Sequence, residues 1–315
     1  MNCYNGEAYI REAIDSIYAQ TFIDWEIIFW DNASTDESSN IARSYDDRLK
    51  YHRAEKTTPL GEARNSALRH VTGKYIAFLD TDDRWMPTKL EKQVRLMESN
   101  QNLGLTHTDV LCFKQSDGTT VRHFVLLGHK PQRGMIFVYL LKVNAISMPS
   151  VMLRSEALHQ QREWFDERFE IYPDFDLFRR IAYGWECDYV DEPLAFYRVH
   201  SASSSSQNHL RAADELKMTL EKLCILFPEI ELRYVEEVAY LRAMIAYQKG
   251  KSFWREGQSF QARSEFRKYW RVDKMRYAYW ATFLPFAIVE KIWWLISRFV
   301  KHCEYSYAIK GVFKQ

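Results

Sequence analysis

Tyr75-Ile76-Ala77-Phe78-Leu79-Asp80-Thr81-Asp82-Asp83 is apolar for five residues and then places three carboxylates in four. A short apolar run that stops at an acidic turn reads as a strand buried on both faces. The same pattern stands upstream. Trp25-Glu26-Ile27-Ile28-Phe29-Trp30 halts at Asp31-Asn32-Ala33-Ser34-Thr35-Asp36, and Leu49-Lys50-Tyr51 forms another short strand. Helical patterns lie around these strands: Ala8, Ile10, Ala13, Ile14 and Ile17 follow the turn Asn5-Gly6, and a helix is expected from Gly61 to Val71. Strands alternating with helices predict an α/β fold with a mostly parallel central sheet. Ligands of such sheets bind beyond the carboxyl ends of the strands, where both acidic clusters fall.

The chain of 315 residues is 47% hydrophobic and 27% charged, a globular composition with room for one α/β domain and a helical extension. The formal net charge of +1 gives no argument for nucleic acid as a partner. The five cysteines, Cys3, Cys112, Cys187, Cys224 and Cys303, show no CxxC spacing, which argues against a disulfide framework and a zinc site and favours a reducing cytoplasm. No secretory leader opens the sequence. The character changes beyond Ser201, where Ser203 to Ser206 form a polar linker before long helical segments. The expected division is therefore residues 1–205 and a helical region over 206–315.

Four segments carry candidate chemistry. The carboxylates of Asp80, Asp82 and Asp83 repel one another at a strand end unless a cation compensates them, and carboxylate oxygens suit Mg²⁺ or Mn²⁺. Capping of the helix expected from Pro87 to Glu98 explains one carboxylate of the three. Asp31 could accept hydrogen bonds from a bound nucleoside, although Ser34, Thr35 or Asp36 could equally be caps. Arg64, in Gly61-Glu62-Ala63-Arg64-Asn65, has the donor fork that meets a pyrimidine carbonyl or a phosphate; a solvated salt bridge is the other reading. Asp174 and Asp176, in Tyr172-Pro173-Asp174-Phe175-Asp176-Leu177, stand ahead of an apolar helix as a candidate general base or as first-turn helix acids.

These segments, in this order, resemble the inverting glycosyltransferases of family 2, which have the GT-A fold. Tyr4-Asn5-Gly6 with Tyr9 to Ile17 and Gln20-Thr21 is similar to the family's opening helix. Trp30 to Asp36 is similar to its nucleoside loop, Gly61 with Ala63-Arg64-Asn65 to its Arg-bearing helix, and Leu79 to Asp83 with Trp85 to its metal motif, DXD. The resemblance covers roughly residues 2–205. It implies donor-binding roles for Tyr4, Asp31, Arg64, Asp80, Asp82, Arg198 and His200, and a divalent metal, Mn²⁺ or Mg²⁺, at Asp82 and Asp83. It further implies Asp174 as the catalytic base, with Trp85 and Asp176 on the acceptor side. The implied reaction moves a sugar from a nucleotide diphosphate-sugar to a hydroxyl of a glycan or lipid-linked acceptor in cell-surface polysaccharide synthesis. A non-catalytic sugar-nucleotide-binding subunit and a metal-dependent nucleotide-sugar hydrolase are the alternatives.

Two departures accompany the resemblance. Pro173 stands where the family usually has Glu before its catalytic Asp. The family also has an apolar strand ahead of Tyr-Asn-Gly, whereas this chain opens at Met1-Asn2-Cys3. The expectation is a missing first strand, from a truncated reading frame or a late start codon. Unpaired backbone beside it would be a defect of several kcal/mol against a total of about 5–15 kcal/mol.

In the helical region, Tyr277, Tyr279, Trp280, Phe283, Leu284, Phe286, Ile292, Trp293, Trp294 and Leu295 are interspersed with Lys291, Arg298, Lys301 and His302. Pro285, Glu290 and Lys291 argue against a transmembrane span from Tyr277 to Val300. Two coverings are open: a lipid interface at 277–302, giving a peripheral location on the inner face of the membrane, or packing on the catalytic domain or in a homodimer.

Overall fold

The computed structural model describes residues 1–116, 118–199 and 209–291. The chain divides into two compact units, Met1–Ser201 and Ala202–Gln315.

The first unit holds two sheets. One is fully parallel, in the order β1 (Asn2–Cys3), β2 (Ile27–Asp31), β3 (Leu49–Arg53). Helices α1 (Ile10–Tyr18) and α2 (Ser38–Arg43) provide its crossovers. Ile10, Ala13, Ile14 and Ile17 form the buried stripe of α1, as their spacing requires, and Ile27, Ile28 and Phe29 make β2 a buried strand. Helix α3 (Leu60–Leu68) then leads to the second sheet.

That sheet runs β4 (Tyr75–Ala77), β8 (Met152–Arg154), β6 (Leu103–Lys114), β9 (Glu186–Val199), β5 (Arg84–Trp85), with β7 (Thr119–Arg122) against β6. Only β6 and β9 pair in parallel; the other pairs are antiparallel. The expected parallel arrangement therefore holds for the first sheet and not for the second. The physical reason lies in the connections, since β6 turns directly into β7 through Gly118, at φ +70°, without a helical crossover. Around this sheet lie α4 (Lys89–Ser99), the short helices α5 (His123–Leu127), α6 (Phe137–Lys142) and α7 (Ser155–His159), and α8 (Pro173–Gly184).

The segment ahead of Tyr4 forms a parallel pair of two residues, Asn2 opposite Trp30 and Cys3 opposite Asp31. Beside the rest of β2 opens a cavity of about 500 Å³, lined by Ile27, Ile28, Tyr75, Ala77, Leu79 and Met152 among others. The Met1 ammonium donates to the Ile28 carbonyl at 2.8 Å, and burial pushes its pKa down to about 6. This cavity lies between strands and does not mark the acidic strand ends.

The second unit is helical: α9 (His209–Leu226), α10 (Ile230–Arg233), α11 (Val235–Arg255), α12 (Ser259–Arg267) and α13 (Asp273–Ala281), with a further helical stretch over 286–291. Ala243, Ala246, Trp254, Ala262, Phe266 and Met275 form its inner core. Gly250 is required there, because a Cβ would stand 2.5 Å from the Phe266 ring. Among the described residues no helix is long and apolar enough to cross a membrane.

Candidate active site

The carboxyl ends of the parallel strands deliver Cys3, Asp31 and Arg53 side by side in register, so the loops that follow meet at one edge. The 4–7 and 34–38 loops are laced together. Asn5 N–H donates to Ser34 Oγ, Gly6 N–H to Ser38 Oγ, Glu7 N–H to Asp36, and Thr35 N–H to the Asn5 side-chain carbonyl, all within 3.0 Å. Asn5 and Ala33 hold left-handed φ values of 53° and 64°, which this lacing over-determines. Tyr4 is thereby left 55% exposed, with its ring available to stack on a flat ligand.

Asp31 is fully buried. Its carboxylate accepts from Ser34 N–H at 2.8 Å, from the Tyr51 hydroxyl and from the Arg53 guanidinium, which also donates to the Ser34 carbonyl. Arg53, with 42% of its side chain exposed, is therefore what this loop presents above Asp31. Sequence reasoning missed Arg53; the available signal was its position at the end of the strand beside β2.

The acidic end of β4 abuts the same loops, since a Cβ on Gly6 would lie 3.0 Å from Thr81 Oγ1. Arg64 reaches this end from α3, with Nη2 3.0 Å from Asp80 Oδ1 and 3.3 Å from Oδ2. Next to it in α3, Asn65 clasps the Phe165 backbone in both directions, and Gly61 packs against the backbone at Asp166 and Glu167. The segment leading into α8 is thus tied to the Arg-bearing helix.

Pro173 opens α8, where its fixed φ suits the first helical position and its missing N–H leaves nothing unpaired. Asp174 follows in the first turn. Burial pushes its carboxyl up to about 6 against the opposing pull of the Arg64 charge, with the Asp80 charge adding a smaller upward push. Arg64, Asp80 and Asp174 therefore act on one another electrostatically, although they come from three separate elements. Asp176 points elsewhere. It is fully buried in an ion pair with Arg180, whose guanidinium also binds the carbonyls of Glu163 and Trp164. In this position it secures the start of α8.

Trp85 is also a core residue here, 6% exposed, with its indole N–H donating to the Pro149 carbonyl at 2.8 Å. Arg198 crosses from β9: its N–H donates to Asp83 Oδ1, its Nε to the Asp82 carbonyl and its Nη2 to Glu12. It pins the acidic loop to α1 rather than reaching outward. His200 lies outside the described residues.

The fit of a divalent metal can be judged from the carboxylates. Burial and the charges of Asp82 and Asp80 push the Asp83 carboxyl well above the usual range, and its second oxygen is buried without a partner. Asp82 is more accessible. Among the described residues no group of three or more His, Cys, Asp or Glu could hold a metal. A cation at this loop would take one or two carboxylates from protein and complete its shell with water and phosphate oxygens. The crowding of these carboxylates and the unpartnered buried oxygen of Asp83 fit such an ion.

The family described as Glycosyl transferase family 2 matches residues 1–180. A putative teichuronic acid biosynthesis glycosyltransferase, TuaG of Bacillus subtilis, is 32% identical over 216 residues, 67% of this chain and 81% of that protein. Among solved structures, S. aureus TarS 1-349 in complex with UDP-GlcNAc aligns with a TM-score of 0.60 at 16% identity, covering 89% of each chain. The mannosyltransferase PcManGT from Pyrobaculum calidifontis, in complex with GDP-Man and Mn²⁺, aligns at 0.59 with 19% identity, covering 85% of this chain and 72% of that one. These likenesses agree with a GT-A-type α/β fold, and with the match spanning most of the first unit, the chain belongs to glycosyl transferase family 2 and is a glycosyltransferase.

Proposed function

We propose that the chain transfers a sugar, with inversion, from a nucleoside diphosphate-sugar to a hydroxyl of a glycan or lipid-linked glycan during cell-surface polysaccharide synthesis. The observation that carries this reading is the electrostatic cluster of Arg64, Asp80 and Asp174, which joins a donor-side cation to a carboxylate poised near neutral pH. The names of TuaG and of the nucleotide-sugar complexes of TarS and PcManGT support the substrate class.

Tyr4 stacks on the nucleobase in this reading, while Arg53 and Arg64 supply hydrogen-bond donors on the donor side. Asp82 and Asp83 would hold the divalent ion, which would supply positive charge against the negative charge growing on the departing diphosphate. Asp174 removes the acceptor hydroxyl proton as that oxygen bonds to the anomeric carbon. The bond from carbon to diphosphate oxygen breaks on the opposite face, and its electron pair leaves with the nucleoside diphosphate. A pKa near 6 leaves Asp174 largely ionised, and so able to accept, at neutral pH.

The test is release of nucleoside diphosphate from a panel of UDP-, GDP- and dTDP-sugars with Mn²⁺ or Mg²⁺, in the presence of an acceptor-containing membrane extract. Turnover that needs the metal and is lost in Asp82→Ala supports the proposal and identifies the donor. Equal release with and without acceptor would instead mark a hydrolase. Donor binding without any turnover would contradict the proposed chemistry.

A further inference from the structure

The second unit carries an aromatic surface that the transfer reaction does not use. On α13 and the turn after it, Tyr277 is 74% exposed, Trp280 62% and Phe283 61%. The surface is continuous. Trp280 stacks on Phe283 with ring centroids 5.7 Å apart, Tyr279 touches Trp280 at 5.5 Å, and Trp270 meets Tyr279 at 5.0 Å. Leu284 and Ile288 extend the exposed apolar area toward the next helical stretch. Large aromatics left in water in such a group mark a binding surface.

The charge around it indicates what it binds. Residues 251–291 contain nine Lys and Arg against four Asp and Glu, whereas residues 1–250 contain 30 against 37. The near-neutral chain thus conceals a basic segment that coincides with the aromatic one. Arg263 lies over the Phe283 ring at 4.8 Å, Arg271 follows Trp270 directly, and Arg267 and Arg271 are exposed without an ion-pair partner among the described residues. A second copy would bring the same positive charge to the same face, which opposes a symmetric dimer through it. An anionic lipid surface complements both features, because Trp and Tyr settle at the headgroup level while Lys and Arg meet the phosphates.

We infer that α13 and the turn at 282–284 dock the protein on an anionic membrane surface, with Trp280 and Phe283 entering the headgroup region and the flanking arginines meeting lipid phosphates. The segment lies on the membrane and does not span it, in keeping with the absence of a sufficiently long apolar helix among the described residues. The inference is independent of the donor, the acceptor and the role of Asp174.

Co-sedimentation of the full chain with vesicles tests it, using phosphatidylcholine alone and phosphatidylcholine mixed with phosphatidylglycerol. The expected result is salt-sensitive binding to the mixed vesicles, weakened about tenfold or more in Trp280→Ser/Phe283→Ser. A second variant, Arg267→Glu/Arg271→Glu, alters only exposed charges and loses the same binding. Circular dichroism verifies that each variant is folded. Failure of the folded wild-type chain to bind mixed vesicles would overturn the inference, as would unchanged binding by both variants. Light scattering that shows a dimer dissociated by the aromatic variant, with no vesicle binding, would assign the surface to a second copy instead.

Discussion

Arg64 and Asp80 form a salt bridge, Nη2 to Oδ1 at 3.0 Å, in which the arginine side chain is 6% exposed and the carboxylate 35%. The arginine is thus the buried partner and the carboxylate the more accessible one. The Arg64 charge also acts on Asp174, so a single guanidinium couples Asp80 to the candidate base.

Removal of that guanidinium should weaken both functions. Arg64→Ala leaves Asp80 without its cation, and kcat/KM is expected to fall roughly hundredfold, equivalent to about 3 kcal/mol. Arg64→Lys should recover only part of this, because an ammonium lacks the planar fork. Steady-state nucleoside diphosphate release measures the effect, and a thermal melt separates it from unfolding.

The pH dependence follows from Asp174. The carboxylate must be ionised to accept a proton, and burial holds its pKa up to about 6, so kcat/KM should rise with pH through that value and then level off. Arg64 holds this pKa down, so the rising limb should move to higher pH in Arg64→Ala. Asp174→Asn should cost on the order of a thousandfold with donor affinity retained, measured by titration calorimetry beside the rate.

Asp82 and Asp83 should respond differently to substitution. Asp83 has a folded pKa raised well above its unfolded value, so the stability linked to it is present at low pH and is lost as pH rises through the folded value. Near neutral pH without metal, Asp83→Asn should therefore raise the melting temperature, since the amide oxygen still accepts from Arg198 N–H. Added Mn²⁺ should raise the melting temperature of the wild-type chain more than that of Asp82→Ala. Calorimetric melts with and without chelator check both expectations.

His107 offers a stability test away from the site. It is fully buried between Phe124 and Tyr189, and burial pushes its pKa down to about 3. The unfolded histidine takes up a proton below about 6.5 while the folded one stays neutral, so stability falls as pH drops through that range, by about 2 kcal/mol between pH 6.5 and 5. His107→Phe should flatten this acid limb and stabilise the fold at neutral pH. Denaturant titrations at the two pH values report it.

What the sequence disclosed depended on how local each signal was. The strand end at Asp31, the stripe of α1 and the Arg-bearing helix were legible, because periodicity and turn residues are written in consecutive positions, whereas the strand before Asp80 stops at Ala77, short of the apolar run. The antiparallel half of the fold was not, since the pairing of β8 with β4 and β6 joins residues more than forty positions apart. Side-chain direction was equally hidden. Trp85 beside an acidic motif could not reveal that its indole bonds Pro149, nor could Asp176 reveal its ion pair with Arg180. Arg53 escaped notice because its relation to Asp31 exists only across the β2–β3 register.

The most direct test of displacement by an activated hydroxyl is proton NMR of the anomeric signal in the first product formed from an α-linked nucleoside diphosphate-sugar. A β-configured product from the wild-type chain, with none accumulating in Asp174→Asn, is expected. An α-configured product, or wild-type rates in Asp174→Asn, would contradict the mechanism.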